Sequence, residues 1–499
     1  MKNKNILLFA GVMALGLSSC KKDYLNTNPT DAVDNSAIFT TTANTDVALN
    51  GIYRYMYQRT TEISSNAQNK PGVGGIMLLQ DFMGDDLHIS STNWFSSEAS
   101  YSTTRNETNQ ILVYGYRTYY RMIANANMII ENVDAATGPD ADKKRIKAEA
   151  LTLRAYAHYW LVQLFAKRYN AAAKPNVQPG VPLMLSTKDT NKPRATVEDV
   201  YAAINKDLDD AIALNITSVY NKSHVSIWVT KGMKARVALT MQDYPNAIKF
   251  AKDIVDNGGF TLMTPAEYQT GFNNAGLAEY MWASMPTVDQ DDTFGSYYAQ
   301  IAYNANTSFM RGNPKRINAA LYNQISATDV RKKMWEPAPT ATNFPLPTTS
   351  FARQPYMSRK FSVKLTAGSS LGDVPLMRSA EMYLILAEAY ASSGDNANGQ
   401  SALFAFVSKR DPGAVKSVNM GQDLVTEVIT NRRTELWGEG VRWLDLKRLN
   451  LGLDRNLATN FPSAPVTGVM VVPAGDVRWQ WFIPRDELNA NKNIGPQND

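Results

Sequence analysis

The sequence predicts a mainly all-α fold, a helical-repeat scaffold interrupted by long irregular loop excursions. Apolar residues recur three and four apart over several long segments, which is the period of an amphipathic helix. Two of those segments read as helical hairpins. Two other stretches, roughly 261–375 and 451–483, are rich in Pro, Thr, Asn, Gly and aromatics and lack any helical period. Loops that long inside a folded chain tend to carry function. A chain of 499 residues with 44% hydrophobic composition can bury a sizeable core. Length alone suggests about three domains, but helical repeats stack into one body. The expectation is therefore one domain over 32–499: a helical N-terminal part to about 260, the irregular excursion over about 261–375, and a C-terminal part over about 376–499.

Between Lys143 and Ala166, the residues Ile146, Ala150, Leu153, Ala157, Leu161 and Leu164 mark one apolar helix face. Gln110 to Val133 repeats the pattern with Ile111, Met122, Ile123, Ala126, Ile129 and Val133. From Met233 to Phe260 the period breaks at Asp243-Tyr244-Pro245 and ends at Gly258-Gly259, with Pro and Gly where helix starts and ends favour them. The order Asp-Tyr-x-x-Ala-Ile-x-x-Ala there resembles the turn and second helix of a tetratricopeptide repeat, whose small alanines allow close helix approach. A second hairpin is predicted from Ala380 to Tyr390, a turn at Gly394-Asp395-Asn396, and Ser401 to Val407.

The N-terminus reads as an address. Lys2 and Lys4 precede the apolar run Ile6 to Leu17, too short to span a bilayer but fitting a cleaved signal core. The run ends in Leu17-Ser18-Ser19-Cys20, which resembles a bacterial lipobox, and Cys20 is the only cysteine of the chain. Residues 1–19 are expected to be removed, Cys20 to become the acylated N-terminus, and 20–31 to form a polar tether. Each buried methylene contributes about 0.8 kcal/mol, so two or three acyl chains hold a protein on a membrane.

Charge and motif content exclude several classes. The net charge is +5, or +3 without Lys2 and Lys4, and no basic stripe is present, so the electrostatic footprint of a nucleic-acid binder is missing. A single cysteine permits neither an intramolecular disulfide nor a thiolate metal cluster. No Gly-x-x-x-x-Gly-Lys-Ser/Thr run supports nucleotide hydrolysis. Gly368-Ser369-Ser370-Leu371-Gly372 matches a nucleophile elbow in letters, but His88, His158 and His224 all precede it, against the chain order such a triad requires. His88 near Asp81, Asp85 and Asp86 lacks zinc-ligand spacing and reads as a solvated loop. Asp289-Gln290-Asp291-Asp292 lacks the central Gly and terminal Glu of a calcium loop and reads as surface. No metal or cofactor is expected.

Several blocks in fixed order carry a resemblance. Behind the lipobox and Asp23-Tyr24-Leu25 come Ala148 to Val162, Gly180-Val181-Pro182-Leu183, Tyr356 with Lys360-Phe361, and Arg378-Ser379-Ala380-Glu381-Met382-Tyr383-Leu384. The most specific block is Arg432-Arg433-Thr434-Glu435-Leu436-Trp437-Gly438-Glu439-Gly440-Val441-Arg442-Trp443-Leu444-Asp445-Leu446-Lys447-Arg448, and the chain closes with Ile483-Pro484-Arg485-Asp486-Glu487-Leu488. Together they resemble the SusD/RagB family over nearly the whole chain. Phe406 to Pro412 departs from the family's Asn-x-x-Arg-x-Arg-Ala-type run, which puts local packing in question. The resemblance implies a non-enzymatic lipoprotein of the outer membrane, facing outward, that captures oligosaccharides, other glycans or peptides. It further implies that the protein sits as a lid over a SusC-like TonB-dependent barrel transporter. The rivals are a surface glycosidase or peptidase and a scaffold subunit with no ligand site of its own.

Two readings of side chains follow. In the charged block, Arg432 to Glu435, Arg442 to Asp445 and Asp445 to Arg448 are each three apart and predict intrahelical ion pairs rather than catalysis. Sugar sites pair aromatic platforms with hydrogen-bonding side chains. Asp85 to Tyr101 and Tyr280 to Phe309 have that composition, so Asn93, Trp94, Trp282, Tyr297 and Tyr298 are the candidate ligand residues, with Trp335 a further possibility. The helical aromatics Tyr156, Tyr159 and Trp160 are expected in the core.

Overall fold

Helix-forming segments stack side by side in chain order. The computed structural model describes residues 38–499 apart from 62–66, 93–94, 218–219, 366–368 and 463–467. The signal segment, Cys20, Asn93 and Trp94 thus lie outside the described residues.

The first helix, α1 (Thr42–Tyr57), starts where the Thr41 side chain accepts the Asn44 N–H at 3.2 Å. It is followed by α2 (Gly72–Met83), buried along its whole length, and by the long pair α3 (Gln110–Asn132) and α4 (Asp140–Phe165). Next come α5 (Val197–Ala213), then α6 (Ile227–Thr240) and α7 (Tyr244–Asn257), the predicted hairpin. Asp243 caps α7 through the Asn246 N–H, with a proline in its first turn. After the irregular region, α8 (Tyr297–Ile301) among its elements, come α9 (Ser379–Ser392) and α10 (Asn396–Val407), the second predicted hairpin, α11 (Gly421–Glu435), α12 (Arg442–Arg448) and α13 (Arg485–Ala490).

The contacts run α3 on α4, α4 on α5, α5 on α6, α6 on α7, α7 on α9, and α9 on both α10 and α11. This is the pattern of a helical-repeat stack, in which each pair buries its apolar face on the next. The expected single apolar face of α4 is exceeded: Glu149 to Phe165 is buried on every side, because α3, α5 and α6 surround it. Its polar residues are accordingly matched inside. Arg154 forms a bidentate pair with Asp207 at 2.8 and 2.6 Å, and Glu149 accepts from Tyr53 Oη at 2.5 Å.

The stretch expected to be irregular contains short strands. β1 (Leu87–His88), β3 (Arg316–Ile317), β5 (Met357–Ser358) and β4 (Trp335–Glu336) form an antiparallel sheet in that order; β2 (Tyr280–Ser284) pairs with β6 (Val374–Arg378), and β7 (Leu453–Asp454) with β8 (Val471–Val472). Six of these strands are two residues long, too short for a period to show in sequence, and β1–β3 and β2–β6 pair residues about 230 and 90 apart.

Buried ion pairs tie the excursion to the helical stack. Glu435 accepts from Arg378 at 2.9 Å and Arg410 at 3.0 Å, Arg410 also reaches Glu279 at 2.8 Å, and Glu439 accepts from Lys360 at 2.7 Å and Arg378 at 2.6 Å. The departing run at Phe406 to Pro412 therefore contributes Arg410 to this centre. A second chain joins Glu381 to Arg236 at 2.6 Å, Asp445 to Arg432 at 2.7 Å and Arg448 at 2.8 Å, and Arg448 to Glu388 at 2.5 Å. Of the three intrahelical pairs expected, only Asp445–Arg448 forms. Arg432 turns to Asp445 and Arg442 to Asp85 at 2.6 Å, because these side chains face neighbouring elements instead of their own helix.

One further expectation is corrected. His88, Asp81, Asp85 and Asp86 are buried, not solvated: Asp85 and Asp86 pair with Arg442 and Arg433, which draws the segment inward, and His88 sits on β1 with its ring 4.5 Å from that of Phe461. Burial pushes the Asp81 carboxyl up to about 8, and it accepts the Gly440 N–H at 2.8 Å. Among the described residues no helix is long and apolar enough to cross a membrane, and no group of three His, Cys, Asp or Glu is placed to hold a metal ion.

Candidate functional site

β2 ends at Ser284 opposite Val374, where β6 begins, so the chain leaving one strand and the chain entering the other emerge at the same edge. These two segments, with the C-terminal end of α1 and the start of α8, enclose a cleft of about 640 Å3. That volume lies within the range of about 300–1,000 Å3 typical of small-molecule sites.

Hydrogen bonds hold its walls. Asp291 accepts from Ser369 Oγ at 2.8 Å and the Ser370 N–H at 3.2 Å, Ser370 Oγ donates to the Thr293 carbonyl at 2.7 Å, and Ser296 Oγ donates to the Ser370 carbonyl at 2.9 Å. Ser370, the serine of the elbow-like run, is thus a buried brace between two loops. The three histidines bond elsewhere, His158 to the Arg154 carbonyl at 3.1 Å and His224 to Glu149 at 2.8 Å, with His88 against Ile89. On the α1 side, Tyr57 Oη donates to Gln290 Oε1 at 2.7 Å, and Arg59 forms an ion pair with Asp292. Asp292 also accepts the Gly295 N–H at 2.9 Å. Gly372 is required by close approach: a Cβ there would meet the Tyr298 ring at 2.4 Å.

The chemistry on offer is mixed. Phe294, 48% exposed, stands at the rim, and Tyr57 is half-buried. Around them are the carboxylates Asp289, Asp291 and Asp292, the amide Gln290 and the guanidinium groups of Arg54 and Arg59. A hydrogen bond from Thr287 holds the Asp289 carboxyl below its usual range, so it is an acceptor. Half-burial raises the Tyr57 phenol, which stays a donor.

The candidate residues fall out unevenly. Trp282 is fully buried, its indole N–H donating to the Ser223 carbonyl at 3.2 Å and its ring T-shaped to Tyr156 at 5.2 Å, so it has no face for stacking and is withdrawn as a platform. Tyr297 and Tyr298 line the cleft as its floor, with their rings buried. Tyr297 Oη is committed to the Gly438 carbonyl at 2.5 Å and Tyr298 Oη to the Phe272 carbonyl, which excludes them as open stacking surfaces. Trp335 is buried T-shaped to Trp437 at 5.6 Å. Tyr156, Tyr159 and Trp160 are in the core as expected. Asn93 and Trp94 lie outside the described residues. The reading of sequence missed Arg54, Tyr57 and Arg59; the Tyr- and Arg-rich end of α1, Tyr53 to Arg59, was the available signal.

Comparison with known proteins places this arrangement. Residues 23–239 match a family model described as starch-binding associating with outer membrane, and residues 226–498 match that of the SusD family. A SusD-like protein of Formosa agariphila is 24% identical over 530 aligned positions, covering 98% of each chain. A SusD-like carbohydrate binding protein from Bacteroides vulgatus, of known crystal structure, is 25% identical with a TM-score of 0.78, covering 91% of this chain and 97% of its own. Surface glycan-binding protein A from Bacteroides thetaiotaomicron, solved in complex with laminarihexaose, shares the fold at 18% identity and a TM-score of 0.68, covering 92% of this chain and 100% of its own. With more than half of its length matched by that family's model and its helical stack shared with these structures, the chain belongs to the SusD family.

Proposed function

We propose that this protein is a surface nutrient-binding lipoprotein. It captures oligosaccharides in the cleft between α1 and the 286–296 segment and passes them to a SusC-like TonB-dependent transporter in the outer membrane. The observation that carries the reading is the cleft itself. An exposed aromatic ring, Phe294, stands at the rim with Asp289, Gln290, Asp291, Asp292 and Arg59, whose side chains are held by hydrogen bonds or an ion pair. Sugars present apolar C–H faces and hydroxyl edges, which such a rim matches. Family membership supports the surface location, and the Leu17-Ser18-Ser19-Cys20 sequence supports anchoring through acylated Cys20.

Binding without turnover is the mechanism proposed. A glycosidase needs one carboxyl held protonated beside a second that is ionised. In the cleft Asp289 is pushed down, whereas the strongly raised Asp81 is buried in the core against Gly440. Energy for import would come from the barrel partner.

The test is titration of the lipid-free protein with plant, host and microbial oligosaccharides, alongside Phe294→Ala and Trp94→Ala. Loss of a stacking ring is expected to weaken binding by about 3- to 10-fold in Phe294→Ala with the fold unchanged. Unchanged affinity in Phe294→Ala would sink the cleft assignment, and release of new reducing ends from any bound sugar would replace capture with hydrolysis.

A further inference from the structure

A second concavity, of about 230 Å3, opens between the end of α4, the end of α12 and the 475–480 segment, and shares no lining residue with the first cleft. Its walls are held from both sides. The Leu451 N–H donates to the Leu446 carbonyl at 2.8 Å, which folds the chain after α12 back on itself, and the Trp479 indole N–H donates to the Pro473 carbonyl at 2.7 Å, which fixes the opposite wall. Leu446 and Trp479 are buried, whereas Leu451 and Val477 are exposed, so the lining is apolar and partly open. The volume equals roughly seven or eight liquid waters, which suits a small body.

Its charges are one-sided. Lys167, Arg168 and Lys447 line the pocket, and Asp476 is the single carboxylate among the lining residues. Asp476 pairs with Arg478 at 2.7 Å and Lys167 with Asp499 at 2.8 Å. Arg105 acts on both carboxylates as well, so five cations share two side-chain carboxylates, and an α-carboxylate at Asp499 still leaves the cations in excess. Arg168 and Lys447 are the uncompensated pair. Burial alone lowers both, Lys447 to about 7, and no carboxylate among the described residues acts on either.

The two differ in what they can still bind. Lys447 is buried, its ammonium donating to the carbonyls of Gln163 and Ala166, the latter at 2.6 Å. It thereby meets the C-terminal end of α4, whose carbonyls would otherwise repel an anion. Arg168 is half-buried and uses one of its five N–H donors within the protein, Nη1 to the Tyr169 carbonyl at 3.2 Å. The rest of its guanidinium is a planar fork that matches a carboxylate in two parallel hydrogen bonds. An uncharged ligand would leave that fork without its counter-charge, and an inorganic anion would leave Leu451 and Val477 uncovered.

We propose that this pocket is a second ligand site of a different chemical class, taking a small organic acid whose carboxylate pairs with Arg168 while its apolar body covers Leu451 and Val477. The assignment does not depend on the oligosaccharide cleft.

The experiment is calorimetric titration of the full chain carrying Cys20→Ala, so that no detergent competes for the ligand, with benzoate and hexanoate, with their uncharged amides benzamide and hexanamide, and with inorganic phosphate. The expected result is that at least one acid binds, and does so at least about tenfold more tightly than its amide and than phosphate. Arg168→Gln is expected to lower that affinity by roughly tenfold. Val477→Glu, at an exposed position, places a carboxylate at the cations and is expected to abolish binding, with thermal unfolding of both variants unchanged. Four results would overturn the proposal: neither acid binds, acid and amide bind alike, phosphate matches the acids, or Arg168→Gln leaves the affinity for the acid as it was.

Discussion

Glu435 shows what a single side chain decides here. It is fully buried between Arg378 and Arg410, whose charges hold its carboxyl far below the usual range against the opposing effect of burial. Removing one partner from such a centre leaves uncompensated buried charge, so Glu435→Ala is expected to cost about 3–5 kcal/mol in urea unfolding. A loss below about 1 kcal/mol would show that the centre is solvated. His88 and His158 set the acid limit. Burial first, and the charges of Arg316 and Arg154 next, push both down to about 3. Below an ordinary histidine pKa of about 6.5 the unfolded chain takes up protons that the folded one refuses. Stability from these groups is therefore present above that pH and lost as pH falls towards 3, by at most about 1.4 kcal/mol per pH unit for each histidine. The slope between pH 6 and 4 should be shallower in His158→Gln than in the parent; equal slopes would assign the acid sensitivity to other groups.

At the scale of elements, the helices declared themselves and the short strands did not. α3, α4, α7 and α9 were legible because each repeats its apolar spacing over several turns, and the α6–α7 turn because Asp243 and Pro245 have local roles. A two-residue strand such as β1 or β3 has no period to read, and its partner lies more than two hundred residues away. The cleft forms where β2 ends and β6 begins, against the end of α1 and the start of α8, parts that only the fold brings together. The loop before β6 reaches the floor only because Gly372 has no side chain where the Tyr298 ring passes. Gly372→Val is therefore expected to lift that loop and weaken oligosaccharide binding by roughly tenfold, with little change in helix content by circular dichroism. Full binding in Gly372→Val would place the ligand away from this wall.

For the whole molecule, the ion-pair centres join the excursion to the stack: Glu279 sits just before β2, Arg378 ends β6, and Glu435 and Glu439 lie at the end of α11 and beyond. The irregular stretch is thereby clamped onto the helical repeat, which fixes the segments that wall the cleft. The proposed attachment of this body to a membrane is argued from the Leu17-Ser18-Ser19-Cys20 sequence alone. Cys20→Ala is expected to move the protein from the membrane fraction to the soluble fraction on cell fractionation, since a lone cysteine at the lipobox has no substitute. Retention in the membrane fraction would point to a protein partner as the anchor.

Helical class, hairpin positions and family membership were readable from the chain because each depends on residues close together in sequence, or on blocks whose order survives without geometry. Which aromatics are open and which are buried was settled by the tertiary structure alone. Trp282, Tyr297 and Phe294 share one stretch of similar composition, yet only Phe294 remains exposed, because α4, α2 and the Gly438 turn cover the other two. The cleft is invisible in sequence for the same reason: exposure is a property of what packs on a side chain, and here those neighbours come from distant parts of the chain.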